Sequence, residues 1–187
     1  MLIYPPNSKN IAQARRILQK GGIIIYPTDT LYGLGADIFN QKAVERIFKI
    51  KGRDFKKPIS VMVSNFSEIE KLAQVNLKQK KIIKAILPGP FTLLLKKRKK
   101  VPNFITAGSD KAGFRMPCSE VCQKLSKNMP LTTTSANVAD FKPSLSLKKI
   151  TREFGEKVDF ILKGEKLSGQ PSIIIDLTEE PFKFFRY

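Results

Sequence analysis

The sequence predicts an α/β fold, a twisted and partly mixed sheet with helices packed around it, and three observations carry that expectation. Helical apolar spacing and short β-branched runs follow one another along the chain, so both element types are present. They interleave without a clean strand-helix-strand period, which argues against an all-parallel sheet. The 187 residues are 42% hydrophobic, apolar enough to fold despite the charge and long enough to bury a core. With no internal repeat and no long linker, residues 1–187 are expected to form a single domain.

Taken in order, Ile11, Ala14, Ile17 and Leu18 keep helical spacing from Asn10 to Gln19, and Gly21-Gly22 stops that helix. Ile23 to Tyr26 is a β-branched run of the kind buried in a sheet, ended by Pro27 and the polar turn Thr28-Asp29-Thr30. Gln41 to Lys51 reads as a second helix whose apolar face, Val44, Ile47 and Phe48, is continued by Lys51 up to Gly52. Ile59 to Val63 reads as a strand, Ser67 to Gln74 and Lys78 to Leu87 as helices, and Pro88-Gly89-Pro90 as a sharp break. Phe91 to Leu95 is a further strand, and the five cations Lys96 to Lys100 are expected in a solvated turn. A helix starts at about Ser119, its N-cap, and Leu131 to Thr134 is a strand running into Ser135-Ala136-Asn137. The last third offers a helix from about Ser146 to Phe154, a strand at Phe160 to Leu162, the apolar run Ile173 to Ile175, and Phe184-Phe185-Arg186.

Composition narrows the chemistry. There are no histidines, which removes the commonest general base and the commonest zinc ligand. Lysine and arginine number 34 against 16 acids, a net charge of +18, so polyanions are the expected partners. Cys118 and Cys122 lie four apart in a stretch read as helical, and buried, reduced thiols are expected there rather than a disulfide framework or a zinc site. The first ten residues do not read as a secretory signal and no apolar run approaches membrane-spanning length, so a cytoplasmic protein with no membrane partner is expected.

Three segments stand out for chemistry. In Lys51-Gly52-Arg53 a lysine ends a helix on its inward side and an arginine follows a flexible glycine, so carboxylates such as Asp54 or an anionic ligand should complete the site. Ser135-Ala136-Asn137 leaves an apolar strand with short hydroxyl and amide groups suited to phosphate oxygens, a nucleobase or a helix cap. The polar Thr132-Thr133-Thr134 before it favours a site. In Tyr26 to Gly35 two glycines flank Leu34 after a strand, without the third glycine of a dinucleotide fingerprint and without the Gly-Lys-Ser/Thr of a phosphate-binding loop.

In their order and spacing these segments resemble the YrdC-type threonylcarbamoyl-AMP synthases, a family marked by Lys-x-Arg followed far downstream by Ser-x-Asn. Further matches are Pro27-Thr28-Asp29-Thr30-Leu31-Tyr32-Gly33-Leu34-Gly35, Leu87-Pro88-Gly89-Pro90-Phe91-Thr92, Arg115-Met116-Pro117, Ser172 to Asp176, and Arg186. The resemblance therefore runs over nearly the whole chain. It implies a twisted α/β sheet enclosing a large positively charged cavity, and the short single-domain form of the family, ending at Tyr187. The implied enzyme is an ATP-dependent nucleotidyltransferase that converts L-threonine, bicarbonate or CO2, and ATP into threonylcarbamoyl-adenylate and pyrophosphate. A partner transferase complex then passes the threonylcarbamoyl group to an adenosine in tRNA.

Carried over by motif, Lys51, Arg53, Ser135, Asn137, Ser144 and Arg186 would hold ATP, with Lys51 and Arg53 also serving catalysis. Thr30, Arg115, Thr133 and Ser172 would hold L-threonine, with Arg115 on its carboxylate. Mg2+ is expected on the ATP phosphates, and Asp29 and Asp176 are the carboxylates considered for it. The chain departs from the family pattern in having Asp54 where many relatives have proline, Met62 at the position of a histidine, and one extra residue between Asn137 and Ser144. One rival reading is a nonenzymatic protein that binds double-stranded or ribosomal RNA with the same basic cavity, supported by charge but lacking a recognisable RNA-reading module. Another is a carbamoyl-transfer domain of a larger maturation factor.

Overall fold

The structure is a computed structural model and describes residues 3–164 and 167–185. Its elements in chain order are β1 (Ile3–Tyr4), α1 (Ser8–Gln19), β2 (Ile24–Pro27), β3 (Tyr32–Gly35), α2 (Gln41–Lys51), β4 (Ser60–Met62), α3 (Phe66–Leu72), α4 (Leu77–Ile86) and β5 (Phe91–Lys96). They continue as α5 (Asn103–Thr106), β6 (Lys111–Arg115), α6 (Glu120–Ser126), β7 (Leu131–Ser135), α7 (Leu147–Phe154), β8 (Phe160–Leu162), β9 (Ile173–Asp176) and β10 (Lys183–Phe185). Among the described residues the strands form one sheet in the order β1-β8-β2-β3-β7-β4-β6-β5-β9-β10. Parallel pairs such as β4 with β6 and antiparallel pairs such as β4 with β7 alternate irregularly, so the sheet is mixed, as the uneven interleaving of the sequence requires.

Short polar side chains start the helices. Asn7, Asn40, Asn65, Asn76, Ser119 and Ser146 each accept a hydrogen bond from a backbone N–H three residues on, which satisfies a donor the helix itself cannot. Helix α2 ends on Gly52, whose φ of 60° is the left-handed conformation glycine adopts without strain.

Alternation along the strands divides the core into two faces. On one face Ile25, Leu34, Val61, Phe114, Leu93 and Ile175 pack with Val44, Ile47 and Phe48 of α2, Ile69 of α3, Ile83 of α4 and Phe154 of α7. On the other, Ile24, Tyr26, Phe160, Leu162, Met62 and Leu131 pack with Ile11, Ala14 and Leu18 of α1 and with Cys122 and Leu125 of α6. Of the two cysteines, Cys122 is buried as expected, whereas Cys118 is exposed because it precedes α6 instead of lying on its inner face.

Two strands differ from the sequence expectation. The segment Tyr32–Gly35, to which the sequence assigns no element, is a fully buried strand. Glycine is a poor strand former, but here it makes room for Tyr26, whose ring lies across the neighbouring strand: a Cβ on Gly33 or Gly35 would come within 2.7 Å of that ring. Likewise Lys111–Arg115 is a central strand whose Gly113 lies so close to β4 that a Cβ would meet Ser60 Oγ at 2.9 Å. Strand β1, with two residues, and helix α5, with four, are too short to show a period. The cations after β5 form the expected surface turn, where Lys97 donates to Val101 O and Asn103 Oδ1 and Arg98 donates to Glu70 O and Ala73 O.

Candidate active site

The register of the sheet brings the chemistry-bearing strands side by side. Gly33 lies opposite Ser135, Ser60 opposite Thr133 and Met62 opposite Arg115. Cross-strand partners point the same way, so Ser135, Thr133, Ser60 and Arg115 share one face. Helices α1 and α6 cover this face over β2 and β8.

At one end of this face is the turn between β2 and β3. The Thr28 hydroxyl donates to Leu31 O at 2.7 Å and accepts from the backbone N–H groups of Thr30 and Leu31, which locks the turn. Asp29 and Thr30 are thereby aimed at Arg115. Arg115 Nη2 donates to Asp29 Oδ1 at 2.5 Å and to the Thr30 hydroxyl, and approaches the Thr28 hydroxyl at 3.5 Å. The other Asp29 oxygen accepts from Cys118 N–H at 3.1 Å. Side-chain exposure is 9% for Arg115 and 13% for Asp29, so this is a sheltered ion pair. Arg115 Nε is buried with no hydrogen-bond partner among the described residues. A buried donor without an acceptor is costly, and such a group is where a ligand oxygen is expected.

At the same edge of the sheet, where Tyr32 O accepts from Ala136 N–H at 2.8 Å, Lys51 reaches from the last turn of α2 over the end of β7. Its ammonium, with the residue only 2% exposed, donates to Ser135 O at 2.5 Å and to Asn137 O at 2.7 Å. The Lys51 carbonyl accepts from Ala139 N–H at 2.8 Å, so helix end and loop are stitched twice. Burial, and then the charge of Arg53, push the Lys51 ammonium down to about 8, with Glu153 opposing. The Ser135 hydroxyl donates to Asn137 Oδ1, and Asn137 Nδ2 donates to Val138 O and Phe141 O. Arg53 is half-buried and donates to Lys57 O at 3.2 Å and Pro58 O at 2.7 Å.

The structure therefore brings Lys51, Ser135 and Asn137 together, with the Arg53 charge near Lys51, and groups Thr30 with Arg115, while Thr133 lies two residues before Ser135 on the same strand. Thr133 is buried. The Ser172 hydroxyl is 2.9 Å from that of Thr92 on β5, the strand beside β6, which carries Arg115. Ser144 is half-buried in the loop after Asn137 and accepts from Ser146 N–H. Arg186 lies outside the described residues. Asp54, expected as the local partner of the cations, is exposed and accepts instead from Lys56 N–H, because backbone carbonyls already take the Lys51 ammonium. Asp29 and Asp176 are both engaged with cations, Asp29 with Arg115 and Asp176 with Lys111 at 3.3 Å. Among the described residues no group of three or more histidine, cysteine or acidic side chains is placed to hold a metal ion.

A family model for Sua5, YciO and YrdC proteins, described as telomere recombination, matches residues 16–187. The chain belongs to the Sua5/YciO/YrdC family. A Methanocaldococcus jannaschii relative with the provisional name threonylcarbamoyl-AMP synthase is 39% identical over 183 residues, covering 95% of this chain and 87% of its own. A Pyrococcus abyssi threonylcarbamoyl-AMP synthase is 36% identical over 172 residues, covering 90% of this chain, which spans about half (51%) of the Pyrococcus protein. The crystal structure of P. abyssi Sua5 complexed with L-threonine superposes with a TM-score of 0.93 at 33% identity, over 100% of this chain and 57% of that one. That of Escherichia coli YciO does so with a TM-score of 0.89 at 30% identity, over 98% and 92%. The mixed, twisted α/β architecture is thus that of the Sua5/YciO/YrdC family, and relatives named as synthases mark the chain as an enzyme. Among the described residues no helix is long and apolar enough to cross a membrane.

The sequence suggests Asp29 only as a metal ligand and gives no sign of its ion pair with Arg115. It also leaves Tyr26 unassigned. The signal for Tyr26 was present in the paired glycines Gly33 and Gly35, which make sense only if a large ring crosses them. The Asp29 pairing had no local signal, since its partner is 86 residues away.

Proposed function

We propose that this protein is a threonylcarbamoyl-AMP synthase, an ATP-dependent nucleotidyltransferase that forms threonylcarbamoyl-adenylate and pyrophosphate from L-threonine, bicarbonate or CO2, and ATP. The observation that carries this reading is a buried guanidinium, held by the β2–β3 turn with its Nε–H unpaired among the described residues, and a buried ammonium beside Ser135 and Asn137 at the edge of the sheet where that turn also lies. The first suits the carboxylate of a small amino acid, because guanidinium offers a planar set of donors to paired oxygens. The second suits a triphosphate, for which lysine is a compact charge and Arg53 a neighbouring one. Relatives named for this activity, and the likeness to a structure complexed with L-threonine, support it.

The reaction needs positioning and charge more than a strong base. Arg115 would take the threonine carboxylate, with Thr30, Thr133 and Ser172 as further contacts, so that the neutral amine faces CO2. The nitrogen lone pair forms the new N–C bond, and loss of a proton leaves a carbamate. A carbamate oxygen then attacks the α-phosphorus of ATP, and pyrophosphate departs. Lys51 and Arg53, with Ser135, Asn137, Ser144 and Arg186 around the nucleotide, would neutralise the charge that builds on the phosphates. Mg2+ belongs to the nucleotide substrate, and the ion pairs of Asp29 and Asp176 make them poor ligands for it. The absence of histidine fits this chemistry.

The product would feed a tRNA threonylcarbamoyl-transferase complex that modifies adenosine. The nonenzymatic RNA-binding reading rests on net charge alone and leaves the paired subsites without a role. Incubation with ATP, L-threonine and bicarbonate should release pyrophosphate only when threonine is present. Equal release without threonine would sink the assignment.

A further inference from the structure

We propose that Asp29 is a positioning residue of the amino-acid subsite, holding the Arg115 guanidinium by one terminal nitrogen so that its Nε–H stays free for the carboxylate of the substrate. The inference deepens the synthase reading and rests on it. Three observations lead to it. Both oxygens of Asp29 are used, Oδ1 on Arg115 Nη2 and Oδ2 on Cys118 N–H, so the carboxylate is fixed from two sides. The Thr28 hydroxyl locks the turn that carries it, and Thr30 from the same turn takes the same guanidinium nitrogen. Every hydrogen bond found for Arg115 side-chain atoms among the described residues thus falls on Nη2, while Nε is buried and unpaired.

A guanidinium anchored at a single nitrogen cannot turn its remaining N–H groups away from the site, and the ordering cost is met before the substrate arrives. The anchoring charge also compensates a buried cation when no amino acid is bound. A purely structural staple between two loops would need neither the convergence on one nitrogen nor the unpaired one beside it.

Asp29→Asn separates these roles. It keeps size and shape, but its amide offers one acceptor and one donor where two acceptors are needed, so one of the two anchoring bonds is lost. The KM for L-threonine should rise about tenfold or more, as expected for loss of one hydrogen bond to a charged group. The KM for ATP should stay within about twofold, because the Asp29 carboxylate bonds Arg115 and Cys118 and none of Lys51, Arg53, Ser135 or Asn137. The preference for L-threonine over L-threoninamide, which lacks the carboxylate, should fall in the same variant, and Asp29→Glu should restore part of it. Calorimetric titration of each protein with L-threonine alone supplies a readout independent of turnover. An unchanged threonine KM and an unchanged amide preference in Asp29→Asn would overturn the inference, as would equal rises in both KM values with a lowered melting temperature. Wild-type protein that neither binds L-threonine nor depends on it would overturn the synthase reading itself, and the inference with it.

Discussion

Lys51 offers the sharpest test of how the nucleotide end works. Replacing it with methionine keeps length and apolar bulk while removing the charge and both donors. The variant leaves Ser135 O and Asn137 O without the ammonium that now lies 2.5 and 2.7 Å away. At ~1.5–3 kcal/mol for each hydrogen bond to a charged group, that is roughly 3–6 kcal/mol lost. Against it stands the cost of burying the ammonium. Its fall from the ordinary 10.5 to about 8, at ~1.4 kcal/mol per tenfold change in proton affinity, corresponds to roughly 3 kcal/mol. The two largely offset, so Lys51→Met should lose no more than about 3 kcal/mol of stability, which urea denaturation measures. Turnover has no such offset. Loss of one preorganised charge on the phosphates should lower it by roughly 100-fold or more in the pyrophosphate-release assay.

The same residue sets a pH signature. In the folded protein the ammonium gives up its proton as pH passes through about 8, so wild-type kcat/KM for ATP should fall as pH rises through that value. The unfolded chain keeps this proton up to about 10.5, and between the two values it binds more protons than the folded chain. Stability from this group therefore rises with pH across that window and is flat below it. Lys51→Met should lack the rise. Turnover in the variant within about threefold of wild type would refute the reasoning, because no preorganised charge would then have been removed.

Three further outcomes are expected. Arg115→Lys keeps a positive charge but removes the planar donors, so the KM for L-threonine should rise about tenfold or more in steady-state kinetics while the melting temperature changes little. Gly33→Ala puts a methyl group into the Tyr26 ring, which lies 2.7 Å from the position of that Cβ, and should destabilise the protein by about 1–3 kcal/mol in urea denaturation. Cys118 is exposed, whereas burial pushes the Cys122 thiol up to about 12. Titration with a chromogenic disulfide reagent should therefore find one fast thiol in native protein and the second only after unfolding.

Much of the fold was legible before any coordinates because its main elements carry their own period. The apolar stripe of α2 and the β-branched run of β2 are local patterns that burial merely completes. Strands β3 and β6 were not legible, since their glycines look like turn residues until Tyr26 and Ser60 are placed against them. At the site, the motifs Lys-x-Arg and Ser-x-Asn pointed to Lys51, Ser135 and Asn137, which the structure brings together, but not to their bonding partners. Lys51 donates to two main-chain carbonyls, and a carbonyl is the same group at every position in a chain. Asp54, the nearest acid in sequence, was therefore a natural but incorrect partner.

The sequence by itself determined the mixed α/β class, the inward face of Lys51 and the order of the motifs, because each depends on residues within a few turns of one another. Only the tertiary structure decided that Asp29 holds Arg115, that its Nε–H is left unpaired among the described residues, and that Lys51 ties the end of α2 to the loop after β7. Those contacts join segments 84 to 86 residues apart. Their geometry is set by sheet register, which depends on all the strands packing at once.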